Sequence, residues 1–274
     1  ILIWMLIFVV ALIVLLKSSD YFTSAAERIG LKLGISAFIL GVTVVALGTS
    51  LPELISSIFA VSSGASEIVI GNVVGSNIAN ILLILGVIAI FAKKLKTDHE
   101  LLEVDLPILF ASTLYVLMVS FDGVITLMEG VIGILGIVVY FVFAGTYAHK
   151  SHKNEEKKVL AEKAILEREG ILAQFLIILL SGFFIYLGAK YTVESIIQIS
   201  TILNIAKEII AVSAVAIGTS LPELAVGIQA ARRGNAGMAF GNVLGSNIFN
   251  SFAVLGISAL FGTLVVPASM LMFS

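Results

Sequence analysis

Cysteine is absent from this chain of 274 residues. Disulfide bonds, thiolate metal sites and cysteine nucleophiles are therefore excluded. Histidine is scarce as well, and His99, His149 and His152 all fall in polar connections between apolar segments. A hydrolase that worked inside an apolar segment would need a base close to its serine nucleophile. Since the sequence offers no such base, we expect no enzyme activity and no cofactor.

Charged residues are also few. They make up only 12% of the chain, against 59% hydrophobic residues, whereas soluble domains carry roughly 25% charged residues. Eight apolar runs reach or approach the roughly 20 residues with which a helix crosses about 30 Å of hydrocarbon. Because backbone groups in lipid must be satisfied within each segment, the sequence predicts an all-α polytopic membrane protein. The runs lie at 1–16, 36–61, 68–92, 101–120, 123–148, 171–189, 209–231 and 236–262.

Both ends of the sequence look incomplete. The chain begins at Ile1 without a methionine and stops inside an apolar stretch that follows Gly262. We therefore expect a ninth span to start there and further helices to follow. The first run is not followed by a small-residue cleavage site, so we interpret it as a helix and not as a signal peptide.

The basic residues lie mainly on one side of the predicted membrane. Cytoplasmic connections carry the excess of lysine and arginine in membrane proteins, so this side is predicted to be cytoplasmic and the N-terminus to be outside, as in a multi-pass protein of the plasma membrane. The lipid bilayer is the expected surrounding, and no pattern predicts a nucleic-acid or obligate protein partner. The connections after spans 1, 3, 5 and 7 hold 13 of the 16 basic residues: Arg28, Lys32, Lys93, Lys94, Lys96, Lys150, Lys153, Lys157, Lys158, Lys163, Arg168, Arg232 and Arg233.

A long internal repeat is present. The heptapeptide GTSLPEL occurs at 48–54 and again at 218–224, and residues 41–90 match 211–260 at 24 of 50 positions without a gap. The copies lie five spans apart, and an odd number of crossings turns the second copy upside down. The sequence thus predicts two inverted-topology repeats of five helices each, an arrangement common in secondary transporters. The predicted units are 1–148, the cytoplasmic connecting loop 149–170, and 171–274, which is incomplete at its C-terminus.

Each copy of the heptapeptide predicts a broken helix, the second span in one repeat and the seventh in the other. Pro52 and Pro222 cannot donate a hydrogen bond to the carbonyl four residues earlier, and their rings crowd that carbonyl. Glu53 and Glu223 follow directly, one turn away from threonine and serine hydroxyls. An ionised carboxylate in the bilayer core is costly, so an intramembrane glutamate indicates a function.

The spans that follow each broken helix, the third and the eighth, carry GNVVGSNIAN at 71–80 and GNVLGSNIFN at 241–250. Asparagine and serine recur there every four residues and so share one helix face. Glycines at 71, 75, 241 and 245 are small enough to let the neighbouring broken helix approach closely. Packing alone is the simpler interpretation of such small and amide residues. The recurrence of this asparagine and serine face beside a glutamate in both copies favours a polar site.

The predicted site contains two carboxylates, several hydroxyls, and amide and carbonyl oxygens. Ligands that are all hard oxygens suit Ca²⁺ and Na⁺, and the lack of imidazole and thiolate argues against Zn²⁺ and Cu⁺. Two carboxylates neutralise one Ca²⁺ or can be shared by several Na⁺. Because both ions compete for the same oxygens, exchange follows more naturally than co-transport.

The doubled GTSLPE and GNxxGSN motifs resemble the repeats of the sodium/calcium exchangers, within the calcium/cation antiporter superfamily, and specifically its compact prokaryotic members. The resemblance is strong over 36–91 and 206–262 and implies Na⁺/Ca²⁺ antiport by alternating access. It also implies a core of spans 2, 3, 7 and 8 over which spans 1 and 6 slide. The ion ligands that it implies are Ala46, Thr49, Ser50, Glu53, Ser76, Asn80, Ala216, Thr219, Ser220, Glu223, Ser246 and Asn250.

One implied ligand departs from part of that family, and it bears on the ions carried. Some relatives, including the potassium-dependent branch, have aspartate where Asn250 stands. One acid fewer weakens the case for K⁺ and predicts electrogenic, potassium-independent exchange. A proton/calcium exchanger of the same superfamily is the alternative, since it would also use paired glutamates. A passive cation channel is disfavoured, because two inverted motifs that converge on one occluded site suit alternating access better than a continuous pore.

Overall fold

The computed structural model describes residues 1–33, 37–62, 64, 66–91, 105–150, 170–203 and 207–266. Most of the loop predicted at 149–170 and the start of the predicted ninth span lie outside these residues. The α-helices are Leu2–Leu33, Ala37–Leu40, Ala46–Thr49, Leu51–Ser62, Glu67–Ile78, Leu85–Phe91, Leu106–Ser120, Leu127–Lys150, Ile171–Ile202, Lys207–Arg232, Ala236–Phe249 and Leu255–Ala259. Three π-helical segments, Gly41–Val45, Ala79–Ile84 and Asn250–Val254, join some of them into longer rods.

The prediction of a helical membrane protein is confirmed. Six helical segments among the described residues are long and apolar enough to span a membrane. Four helices form the centre and are named here by their key residues. They are the Glu53 helix (Phe38–Ser62), the Asn80 helix (Glu67–Phe91), the Glu223 helix (Lys207–Arg232) and the Asn250 helix (Ala236–Ala259).

The first helix is much longer than predicted. It continues to Leu33, although its apolar run ends at residue 16. The polar residues beyond that point do not end the helix, because Ser19 and Thr23 donate hydrogen bonds to carbonyls one turn earlier in the same helix. At 32 residues and about 1.5 Å per residue, the helix is about 48 Å long and must tilt to fit the bilayer. The helix predicted at 171–189 likewise extends to Ile202.

These two long helices pack against each other in opposite directions. Gly188 lies against the backbone of Leu15, where an added Cβ would be 2.8 Å from the Leu15 nitrogen. Gly182, which precedes Gly188 in the same helix, faces the ring of Phe22, which follows Leu15 in the first helix. Residue numbers thus rise along one helix as they fall along its neighbour. Helices 170 positions apart in an inverted repeat are expected to pack in this antiparallel way.

The ends of the helices sort into two groups. At one end, the Arg232 guanidinium lies over the Phe91 ring at 5.0 Å, and Arg233 forms a 2.7 Å ion pair with Asp20 of the first helix. These contacts bring together the segments after spans 1, 3 and 7. Their grouping agrees with the predicted alternation of connections.

The opposite end is tied by a small sheet. Val124–Ile125 pairs antiparallel with Leu264–Val265, and the Val265 N–H donates a 3.2 Å hydrogen bond to Ser66 Oγ. The connections after spans 2, 4 and 8 therefore meet here, as the alternation requires.

The Asn250 helix lies at the centre of the molecule and is buried along nearly its whole length. Glycine allows its close contact with the Glu53 helix. A Cβ at Gly241 would lie 2.5 Å from the Phe38 carbonyl oxygen, and a Cβ at Gly245 would lie 2.5 Å from that of Val42. The predicted role in close helix approach is therefore confirmed for these two glycines. The same contact brings the polar faces of the two helices together. The predicted role is wrong for Gly75, where a Cβ would meet nothing within 4 Å among the described residues.

Candidate cation-binding site

The Glu53 helix is interrupted in the middle of the membrane span. Ser50 has φ −88° and ψ 5° and separates Ala46–Thr49 from a new helix that begins at Leu51, one residue before Pro52. The Ala46 carbonyl accepts bonds from the Ser50 N–H at 3.0 Å and from Thr49 Oγ1 at 3.3 Å. The first repeat is therefore interrupted at the position where the sequence predicts a break.

The second repeat behaves differently. The Glu223 helix continues through Pro222 without ending, so the prediction of a second helix break is wrong. A proline removes one backbone hydrogen bond and bends a helix, but tertiary packing can hold both halves in helical geometry. Ala216 lies in this continuous helix, before the Thr219–Ser220 pair.

No sequence pattern predicted the π-helical segments next to the site. Asn80 lies in Ala79–Ile84 and Asn250 begins Asn250–Val254, so both copies widen at equivalent positions, 170 residues apart. A π segment inserts one extra residue in a turn and often marks a functional site. No residue type signals this widening, because its cause is the packing of the whole helix.

Each threonine of the doubled motif bonds to the helix of the other repeat. Thr49 Oγ1 donates to Asn242 Oδ1 at 3.1 Å, and Thr219 Oγ1 donates to Asn72 Oδ1 at 3.3 Å. These two bonds are equivalent under the offset of 170. The asparagines hold the threonine hydroxyls in place.

The serines of the two GSN motifs complete the same pattern. Ser246 Oγ lies 3.4 Å from Thr49 Oγ1, and Ser76 Oγ lies 3.3 Å from Thr219 Oγ1. Thus the Glu53 helix joins the Asn250 helix, and the Glu223 helix joins the Asn80 helix. Each pair joins a hydroxyl of one repeat to a hydroxyl of the other.

The two carboxylates lie inside this network but are bonded unequally. Glu53 and Glu223 have exposed fractions of 1% and 0%. Glu223 Oε1 accepts hydrogen bonds from Ser50 Oγ at 2.9 Å and from Ser246 Oγ at 3.4 Å. Within the described residues, no hydrogen bond of normal geometry reaches either carboxylate oxygen of Glu53. A bare carboxylate in this setting requires a partner, because burying an unpaired charge is costly.

Further buried oxygens also lack donors. Such groups are rare in folded proteins, where buried polar atoms are nearly always paired. A cation satisfies several acceptor oxygens at once. The described residues contain no cluster of three or more histidine, aspartate or glutamate side chains, so a cation here meets two carboxylates and neutral oxygens. Among the described residues of the site, the acceptor atoms without donors are both oxygens of Glu53, Glu223 Oε2, Ser220 Oγ, Asn77 Oδ1, Asn80 Oδ1 and Asn250 Oδ1.

The structure brings most of the predicted ligands together. Hydrogen bonds join some of them directly across the repeats, and Glu53, Ser220 and Asn250 are buried next to bonded neighbours in the chain. Ala46 joins through its carbonyl, and no described contact joins Ala216 to the network. The predicted ligands in the bonded network are Thr49, Ser50, Ser76, Asn80, Thr219, Glu223 and Ser246.

Four asparagines of the site were absent from the predicted ligand set. Asn72 and Asn242 hold the threonines, and Asn77 and Asn247 lie between the two central helices, where Asn80 Nδ2 donates to Asn247 Oδ1 at 3.0 Å. The GN and GSN motifs contain all four. Their role depends on contacts between residues about 150 to 190 positions apart, which a motif does not reveal.

Two inverted sets of helices around a buried, oxygen-lined acidic site define a secondary transporter of cations. A family model described as sodium/calcium exchanger protein matches residues 3–146 and 173–274. The chain belongs to the sodium/calcium exchanger family.

Individual relatives agree over nearly the whole chain. Sodium/calcium exchanger MaX1 of Methanosarcina acetivorans is 38% identical over 98% of this chain and 86% of its own length. Inner membrane protein YrbG of Escherichia coli is 32% identical over 92% of this chain and 78% of its own length. A solved structure of the sodium-calcium exchanger NCX_Mj, soaked with Na⁺ and Ca²⁺, superposes with a TM-score of 0.83 at 31% identity, covering 99% of this chain and 86% of that one.

Proposed function

We propose that this protein exchanges Na⁺ for Ca²⁺ across a membrane as a secondary active transporter with alternating access. The observation that carries the proposal is the pair of buried glutamates, of which Glu53 accepts no hydrogen bond of normal geometry from the described residues. Without a cation, two carboxylates would lie in a low dielectric with their charges unbalanced. Reorientation of the empty site is therefore disfavoured, and strict exchange depends on that.

The proposed ion ligands are the twelve residues that the family resemblance implies. Ca²⁺ takes six to eight oxygen ligands, and the side-chain oxygens without donors supply several of them. The Ala46 carbonyl already accepts two bonds, so an ion there replaces the longer one, from Thr49 Oγ1 at 3.3 Å. Glu53 and Glu223 give the site a charge near −2, which one Ca²⁺ neutralises.

The neutral amide of Asn250 sets the charge carried in each cycle. The return of more than two Na⁺ on a site of charge near −2 moves net positive charge, so exchange is electrogenic. Each elementary charge is worth about 2.3 kcal/mol per 100 mV. With no third carboxylate to hold K⁺, exchange is independent of potassium.

Location and organisation follow the charge pattern and the repeat. The protein lies in the plasma membrane with its N-terminus outside and the end that carries Arg232 and Arg233 in the cytoplasm. The functional units are 1–148 and 171–274, joined by the cytoplasmic loop 149–170. The protein acts as a transporter and not as an enzyme, and its only substrates are the transported ions.

Reconstituted vesicles test the proposal directly. Vesicles loaded with Na⁺ and diluted into Na⁺-free buffer should take up radioactive calcium, whereas a pH gradient alone should not drive uptake. The Glu53→Gln protein in the same vesicles provides the matched background. Equal uptake from a proton gradient would transfer the assignment to a proton/calcium exchanger.

A further inference from the structure

The hydrogen bonds at the two carboxylates differ between the repeats, although the atoms are equivalent. Ser50 Oγ donates to Glu223 Oε1 at 2.9 Å. The bond related to it by the offset of 170 would join Ser220 Oγ to Glu53. It is not made, and neither Ser220 Oγ nor the Glu53 oxygens form a hydrogen bond of normal geometry with the described residues.

The amides show the same inequality. Asn80 Nδ2 donates to Asn247 Oδ1 at 3.0 Å. The equivalent bond, from Asn250 Nδ2 to Asn77 Oδ1, is missing, and both atoms are buried without a partner in the part of the chain that the structure describes. Two independent bonds are therefore made by donors of the first repeat, and the equivalent bonds from donors of the second repeat are not made.

The bonded residues themselves do not explain this difference, because the paired positions carry identical residues. The one hydrogen-bonding neighbour of these residues that differs is Ser251, which accepts a bond from Asn77 and is replaced by Ile81 in the first repeat. A cation also cannot explain it fully. It would satisfy the unpaired oxygens, but the Asn250 amide nitrogen is a donor and needs an acceptor. The equivalent acceptor is Asn77 Oδ1, which is itself unpaired. The difference is therefore one of conformation between the two halves.

Alternating access moves one part of an inverted-repeat transporter against another around a site at the repeat interface. We infer that Asn77 and Asn247 are positioning residues that act in turn. Asn247 holds the amide nitrogen of Asn80, and so leaves the Asn80 oxygen for the cation, in the facing state seen here. Asn77 holds Asn250 in the same way in the opposite facing state. The inference rests on the proposed exchange function and adds two residues to it.

The anchoring of Asn77 supports this role. Its amide nitrogen donates to Ser251 Oγ at 2.9 Å and to the Asn247 carbonyl at 3.3 Å, which leaves its Oδ1 ready to accept. In the first repeat the position equivalent to Ser251 is Ile81, which has no hydroxyl. Asn247, the equivalent of Asn77, has no partner for its Nδ2 among the described residues. The receptor for Asn250 is thus fixed in place before the bond forms.

Transport measured separately from each side of oriented vesicles tests the inference. Asn247→Leu and Asn77→Leu should each raise the half-saturating Ca²⁺ concentration about tenfold, but at opposite sides of the membrane. Ser251→Ala, which removes only the anchor of Asn77, should weaken the same side as Asn77→Leu by a smaller factor. A purely structural role would instead lower the amount of folded protein or the maximal rate without a difference between sides.

The outcomes separate the inference from the proposed function. Wild-type protein that shows no Na⁺-driven Ca²⁺ uptake overturns both. Wild-type exchange with variants that change both sides equally, or neither side, overturns the inference alone. If the leucine variants fail to insert, Asn77→Ser, a smaller polar replacement, shows which side of the membrane depends on Asn77. Ser251→Ala should then weaken that same side. An effect of Ser251→Ala on both sides, or on the other side, refutes the assignment.

Discussion

Ser50 Oγ donates a 2.9 Å hydrogen bond to Glu223 Oε1, a residue 173 positions later in the chain. The hydroxyl belongs to the interrupted helix of the first repeat and the carboxylate to the continuous helix of the second. Both groups are buried, so the bond is shielded from water. The two repeats therefore share one site, and neither forms it alone.

Neutralising either glutamate should abolish exchange. In Glu53→Gln and Glu223→Gln the amide keeps the shape of the side chain but removes half of the charge that balances Ca²⁺. Sodium-driven calcium uptake in vesicles measures the loss. Glu67→Gln is the matched control, since Glu67 lies exposed at the start of the Asn80 helix and should transport normally. Near-normal flux in either site variant would refute the two-carboxylate site.

Serine substitutions should affect stability unequally in the two repeats. Ser50→Ala removes the donor to the Glu223 carboxylate, and bonds to charged groups contribute roughly 1.5–3 kcal/mol. Ser220→Ala removes a hydroxyl that has no partner among the described residues and should leave stability nearly unchanged. Thermal unfolding in detergent, without Na⁺ or Ca²⁺, measures the difference. Equal destabilisation by the two variants would contradict the unequal bonding.

Alanine should be tolerated at one glycine and not at its equivalent. In Gly245→Ala the new Cβ would lie 2.5 Å from the Val42 carbonyl oxygen, so the central helices must separate. Overpacking of this kind costs about 1–3 kcal/mol. Gly75→Ala is the internal control, because a Cβ there meets nothing within 4 Å among the described residues. Unfolding temperatures of the two variants should differ, and identical values would count against the close approach.

An added acid at Asn250 should change the ion dependence. In Asn250→Asp the third carboxylate enters a buried site, where it must take up a proton or hold another cation. Transport by the variant should therefore gain a dependence on pH or on K⁺. The wild type should respond to imposed voltage and, at clamped voltage, ignore K⁺. A wild-type requirement for K⁺, or a rate indifferent to voltage, would mean that the site charge is not near −2.

Helix positions could largely be predicted from the sequence, because an apolar run of about 20 residues has few alternatives in lipid. The Glu53 helix and the Asn80 helix lie within a residue or two of the predicted spans. The first helix could not be bounded in this way. Its polar second half is stabilised by local hydroxyl-to-carbonyl bonds at Ser19 and Thr23 and by the ion pair of Asp20 with the distant Arg233.

The sequence by itself determined the chemistry of the site. Two copies of a proline-glutamate motif and two of an asparagine-serine motif specify which oxygens are present and that the copies are inverted. Those properties follow from residue type and from an odd number of crossings, which do not depend on packing.

Only the tertiary structure decided how those oxygens are used. Identical motifs gave a broken helix at Ser50 and a continuous one through Pro222, and a bond at Asn80 whose equivalent at Asn250 is missing. A sequence repeat specifies two equivalent halves. A transporter in one facing state must have unequal halves, because the site can open to only one side at a time, and that inequality arises from the packing of helices far apart in the chain.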